Sequence, residues 1–272
     1  MKQILIAVAL GACAASAATW NNSAISSFNL SQNTHHNWSA GGEDAMVWQA
    51  NLKASSEAGW THWNWKNSTE LAYGRTQIDD QASRKHLDKI FLETLVNYNL
   101  LATIKPYASG RLESQFTTSY AYSDTAGRQA ISAFWDPGYL TESLGMSYVP
   151  NPVFNTRLGF ALKQTYADRY AWADDLDTED KVEDFRNEPG LESISEVNLP
   201  WNDIVVYKSR LSAFVNFEGV DEIDGRWENT LDAQVAKYLV FSAGVELLYD
   251  KDLDVDSQLR QSLTIGLTYQ LI

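Results

Sequence analysis

The chain has 272 residues, 35 Asp and Glu against 21 Lys and Arg, a formal net charge of −14 and a single cysteine. Such acidity argues against nucleic acid and other polyanions as partners. One cysteine excludes a disulfide framework, and its loss with a leader would also exclude thiolate metal sites and cysteine nucleophiles.

That leader is the first element in chain order. Lys2, the apolar run from Ile4 to Leu10 and the small residues ending in Ala15-Ser16-Ala17 follow the charged, apolar, A-x-A order of a secretory signal peptide over residues 1–17. A lipoprotein signal is the rival reading, because Leu10-Gly11-Ala12-Cys13 places a cysteine where lipid can be attached. Cleavage after Ala17 leaves one domain, residues 18–272, with no cysteine. No later apolar run reaches the roughly 18 residues of a spanning helix, so any membrane passage must use strands.

Turn signals divide the remainder into twelve candidate strands: 24 to 32, 45 to 56, 60 to 74, 87 to 100, 104 to 122, 138 to 149, 153 to 166, 187 to 199, 204 to 218, 225 to 238, 239 to 250 and 257 to 271. Most exceed the about 9 to 11 residues that a tilted strand needs to cross a bilayer. Tight links at 57–59, 101–103, 150–152, 200–203 and 238–239 alternate with longer loops, the outer-membrane pattern with both termini on the short-turn side. The long loops carry acid at Asp79-Asp80, Asp174 to Asp184, Glu218 to Asp224 and Asp250 to Asp256. Such a rim would meet lipopolysaccharide through divalent cations.

Each strand has two chemically different faces. In the last, Leu259, Gln261, Leu263, Ile265, Leu267, Tyr269 and Leu271 alternate with Arg260, Ser262, Thr264, Gly266, Thr268 and Gln270. Over strands two to twelve, Glu142 is the one charge on the apolar face, against nineteen on the polar face. A lipid-facing Arg or Lys at the midplane costs about 2 to 4 kcal/mol, so a bilayer would select this asymmetry. Aromatic residues gather at both strand ends, Trp63, Tyr148 and Trp201 near the short turns and Trp48, Tyr73, Tyr120, Tyr122, Tyr139 and Trp227 near the long loops, as two interfacial girdles would. The expected fold is all-β: a transmembrane, antiparallel, up-and-down barrel of about 12 strands, with ten to fourteen compatible with the turns.

Asn29-Leu30-Ser31-Gln32, the segment Asn37-Trp38-Ser39-Ala40-Gly41-Gly42-Glu43, Pro137-Gly138-Tyr139-Leu140 and Gly266-Leu267-Thr268-Tyr269 resemble an uncharacterised family of Gram-negative outer-membrane proteins known only as a domain of unknown function. The resemblance implies a barrel in the bacterial outer membrane and no particular activity. Barrels of this class usually end in an aromatic residue read by the barrel-assembly machinery; this chain ends Tyr269-Gln270-Leu271-Ile272.

Chemistry is sparse. Adjacent His35 and His36 point apart in an extended chain, His62 fits a lumenal hydrogen-bond network, and no H-x-S-N-G motif of an outer-membrane phospholipase is present. Asp250, Asp252, Asp254 and Asp256 alternate in a weak calcium candidate that lacks the glycine and distal glutamate of an EF-hand loop. Gly41-Gly42 reads as a turn or bulge rather than a phosphate loop. No cofactor signature appears, and the chain is not expected to be an enzyme. What remains is the polar face, with Arg111, Arg157, Arg210, Arg226, Arg260, Glu113 and Glu228 as lumen-lining candidates. Rings of charge line selective pores, whereas interior ion pairs close a barrel. Two readings therefore stand: a monomeric, narrow passive pore for small polar solutes, or a plugged structural or surface-interaction barrel. A lipid hydrolase on the barrel wall is a third reading that lacks its motif.

Overall fold

The computed structural model describes residues 18–34, 43–123, 127–170, 172–173, 183–219, 223–250 and 254–272. The leader, Cys13, the His35-His36 pair, Gly41-Gly42 and Asp252 lie outside these residues. Fourteen strands occur among the described residues: β1 (Thr19–Asn33), β2 (Ala45–Gly59), β3 (Trp63–Ile78), β4 (Arg84–Tyr98), β5 (Ile104–Ser114), β6 (Ser119–Ser123), β7 (Gly127–Ser132), β8 (Gly138–Tyr148), β9 (Phe154–Tyr166), β10 (Phe185–Pro200), β11 (Val205–Asn216), β12 (Ile223–Ala236), β13 (Leu239–Asp250) and β14 (Asp254–Gln270). Twelve close into one antiparallel barrel in the order β1-β14-β13-β12-β11-β10-β9-β8-β5-β4-β3-β2, and β6 and β7 form a separate hairpin.

Tight turns join strands along one rim. Asn151 Oδ1 accepts the N–H groups of Val153 and Phe154, both at 2.9 Å, and Asn202 Oδ1 accepts those of Ile204 and Val205 at 3.0 and 2.8 Å. These side chains take the place of a backbone acceptor, which is why Asn reverses a chain so readily. On the opposite rim the strands run past their sequence-derived bounds, so the β3–β4 and β13–β14 connections shrink to 79–83 and 251–253.

The fifth candidate strand, 104 to 122, is the main departure. β5 stops at Ser114 because the Asp88 carboxylate accepts the N–H groups of Phe116 and Thr117 at 2.8 and 3.0 Å and draws the chain off the wall. The hairpin follows. It returns through Asp136, whose buried carboxylate accepts N–H from Asp168 and Arg169 at 3.2 and 3.1 Å and so ties this long loop to the next.

The exterior is apolar. Leu144, Phe160 and Leu263 are 66, 70 and 76% exposed, and Leu158, Leu211 and Leu267 point the same way. Burial is inverted relative to a soluble protein, because the small and charged residues of the lumen are covered instead. Glu142 stands on the exposed face, as its parity requires. Tyr139 is a correction to the outer girdle: it shares parity with Thr141 and Ser143 and lines a lumenal cavity. Tyr120 and Tyr122 likewise lie on the β6–β7 hairpin rather than on the wall.

Candidate functional site: the lumen

Alternation along β4, β5, β9, β11 and β12 aims the charged side chains inward, and the barrel brings them together. Glu93 on β4 binds Arg157 on β9 and also Arg210 on β11, the latter at 3.1 Å. Arg210 in turn binds Glu196. Arg111 reaches Glu113 at 3.0 Å and Glu192 at 2.5 Å. Arg226 meets Glu113, Glu228 and Glu246 at 3.4, 3.2 and 2.6 Å, and Glu246 also holds Arg260 at 2.5 Å. All seven lumen-lining candidates therefore face inward and take part in ion pairs.

Several of these pairs span the interior rather than neighbouring strands. Lys89 on β4 contacts Glu228 on β12 at 3.5 Å, and those strands stand tenth and fourth in the ring of twelve, on opposite walls. Glu93–Arg210 and Glu113–Arg226 each join strands five places apart in the same order. Side chains that meet from opposite walls leave little free cross-section, the condition of eight-stranded barrels and not of sixteen-stranded ones. Desolvation is correspondingly deep: Glu192 is 2% exposed and Arg157 4%.

Aromatic and aliphatic side chains complete the packing, and parity could have found them. Tyr107 shares its face with Arg111, donates to or accepts from Ser143 Oγ at 2.8 Å, and lies 5.7 Å from the Arg157 guanidinium. Opposite it is Gly159, where a Cβ would stand 2.5 Å from the Tyr107 hydroxyl. Phe91 lies 5.6 Å from Arg210, Phe214 lies 5.6 Å from the Lys163 ammonium, and Ile194 is fully buried between the charges of β10. Cations held over ring faces gain about 0.5 to 2 kcal/mol when desolvated. An assumption that aromatic residues face lipid hides Tyr107, Phe91 and Phe214.

Two cavities flank this packing. One of about 150 Å³ is bounded by Arg111, Tyr139, Lys163, Asp224, Arg226 and Asp250. The second, about 260 Å³, lies under the hairpin between Lys85, His86, Asp88, Tyr120 and Arg260. Among the described residues no group of three or more His, Cys, Asp or Glu side chains converges as a metal site requires. Of the calcium candidates, Asp250 lines the smaller cavity, where Lys163 and Arg226 are its neighbours. His86 enters the lumen through a register shift between β3 and β4, with Nδ1 3.2 Å from Thr76 Oγ1 and Nε2 3.5 Å from Gln49 Oε1. Sequence parity at β4 misses it because the bulge reverses the alternation.

A closed antiparallel barrel, apolar outside and ionic within, is the architecture of outer-membrane barrel proteins. A family model described as a protein of unknown function (DUF3078) matches residues 30–120. That match ends before Pro137–Leu140 and Gly266–Tyr269, so the resemblance noted at those segments stands outside it. No curated protein matches the sequence. Solved structures of similar fold include a NanC porin, 10% identical with a TM-score of 0.42, the alignment covering 92% of this chain and 100% of that one. The COG4313 outer membrane channel from Pseudomonas putida F1 is 10% identical with a TM-score of 0.41, covering 92% and 94%. The beta domain of the Bordetella autotransporter Brka is 15% identical with a TM-score of 0.36, covering 92% and 98%.

Proposed function

We propose that this chain is an integral barrel of the bacterial outer membrane, exported by a cleaved signal peptide, whose lumen is held shut at mid-height by ion pairs. The observation that carries this reading is the meeting of Lys89 with Glu228, Arg210 with Glu93 and Arg226 with Glu113 across the interior. It favours the plugged barrel over the passive pore, because solute passage requires those pairs to part. The short-turn rim then faces the periplasm, and the hairpin rim faces outward among lipopolysaccharide. Folding through the barrel-assembly machinery and a monomeric state complete the proposal.

Conductance across a planar bilayer tests it. Wild-type protein should give no steps above background, and a variant combining Glu93→Ala, Arg157→Ala and Arg210→Ala should give resolvable ones. Steady wild-type openings would overturn occlusion and restore the passive pore for small polar solutes.

A further inference from the structure

The ring of strands is joined unevenly. Between β1 and β2 the ladder runs from Thr19↔Gly59 to Asn33↔Ala45, whereas between β1 and β14 it runs only from Ile25↔Gln270 to Phe28↔Leu267. Toward the hairpin rim, Asn29 to Asn33 of β1 and Ser262 to Gly266 of β14, which the same register would set opposite one another, have no ladder partner across this seam among the described residues. Exposure agrees. Elsewhere the lumenal face of a strand is largely covered, but every residue from Asp256 to Leu263 is exposed whichever way it points, and so is every residue from Leu30 to Asn33. Asn29 marks where closure ends: its Oδ1 fills the space over Gly266, 1.3 Å from where a Cβ would stand.

Hydrocarbon does not satisfy free backbone N–H and C=O groups, so a seam of this kind needs a polar neighbour on at least one side. On its lumenal side is the 260 Å³ cavity, and Arg260, one of its walls, stands on β14 two residues before Ser262, where the described part of the seam begins. Lys85 and Arg260 face one carboxylate there, Asp88, and that carboxylate already accepts from Lys85 at 2.7 Å and from the Phe116 and Thr117 N–H groups. Glu246 supports Arg260 from behind at 2.5 Å, yet the Arg260 side chain is 59% exposed. On the outer side β14 presents Leu259, Leu263 and Ile265.

From a polar, cation-bearing chamber that adjoins an apolar wall through an unzipped seam, we infer a lateral portal between β1 and β14 for an amphiphile with an anionic headgroup. The headgroup sits between Lys85 and Arg260, and the hydrocarbon chain leaves through the gap along Leu259 and Leu263. Recognition is charge-assisted hydrogen bonding at one end and apolar contact at the other. The inference rests on the membrane reading above, and it supplies a role for a chamber placed above a blocked lumen.

The test uses the mature barrel in phosphatidylcholine vesicles with spin-labelled stearate as the probe and its methyl ester as the uncharged control. Stearate should associate with the protein about tenfold more strongly than the ester, the equivalent of about 1.4 kcal/mol. A Lys85→Gln, Arg260→Gln variant should lose that preference while keeping the heat-dependent gel migration of a folded barrel. Displacement of the label by dodecyl phosphate assigns a phosphate headgroup, and selective retention of stearate assigns a carboxylate; either outcome supports the portal. A nitroxide at Ser262→Cys should collide with oxygen as a lipid-exposed site does, although its parity is lumenal. Equal association of acid and ester, or a Ser262 label reached only by water-soluble nickel, overturns the portal. The membrane reading fails separately, if nitroxides on the two faces of β8 show no alternation.

Discussion

Glu93 is the point at which the lumen should be most sensitive. It is 9% exposed and binds Arg157 and Arg210, and it is the one ion-pair partner of Arg157 among the described residues. Glu93→Gln keeps the shape and strands the Arg157 guanidinium, which is 4% exposed, without an opposing charge; Arg210 keeps Glu196. Leaving a buried charge unpaired costs about 3 to 5 kcal/mol, which is about two to four powers of ten in the unfolding constant. Urea unfolding in lipid vesicles, followed by tryptophan fluorescence, measures this directly. Adding Arg157→Met should recover a large part of the loss, because the orphaned charge is then gone, and the cycle should show coupling on the order of 1 to 3 kcal/mol. A Glu93→Gln protein within about 0.5 kcal/mol of wild type would refute the reasoning, since it would mean that water reaches Arg157 and the interior is not closed.

On the outer wall, Leu144→Arg should destabilise the barrel by about 2 to 4 kcal/mol in a bilayer, read from the same unfolding assay. The change should shrink when the protein is held in a polar-headed amphipol of loose packing. Glu142→Leu should shift stability upward, because it removes a charge from the exposed face of β8. At the hairpin, Asp136→Asn should speed amide exchange at Asp168 and Arg169 by the factor that about 1 to 3 kcal/mol represents, while β8 and β9 amides keep their protection. Unchanged exchange at those two amides would mean that Asp136 does not hold the loops together.

Much of the barrel was legible because lipid outside and ions inside impose the same period-two rule on every strand. Leu259 to Leu271 and Phe154 to Leu162 announce it, and all twelve candidate strands have a counterpart in the wall. The rule also placed Arg111, Arg157, Arg210, Arg226 and Arg260 on the inner face. It could not say which carboxylate each would meet, because Glu93 and Arg210 are 117 residues apart and only ring closure brings them together. Sequence reading failed at Tyr139, placed in the outer girdle although its own parity is lumenal, so aromatic character and lipid exposure part company there. It failed again after Ser114, where a single carboxylate on β4 decides that the chain leaves the sheet. The weak β1–β14 seam had no local signal, since the sequence of β14 alternates cleanly whether or not a neighbour pairs with its far edge.

The central claim is that hydrocarbon covers the apolar face and a closed interior covers the polar one. Residues 18–272 contain no cysteine, so a chain begun at Ala18 suits single-site spin labelling, with nitroxides at Leu144 and Met146 on one face of β8 and at Ser143 and Ser147 on the other. In vesicles, collision with oxygen should be high at the first pair and low at the second, with water-soluble nickel excluded from the first. Equal accessibility at all four sites, or nickel reaching Leu144 and Met146 freely, would contradict the account.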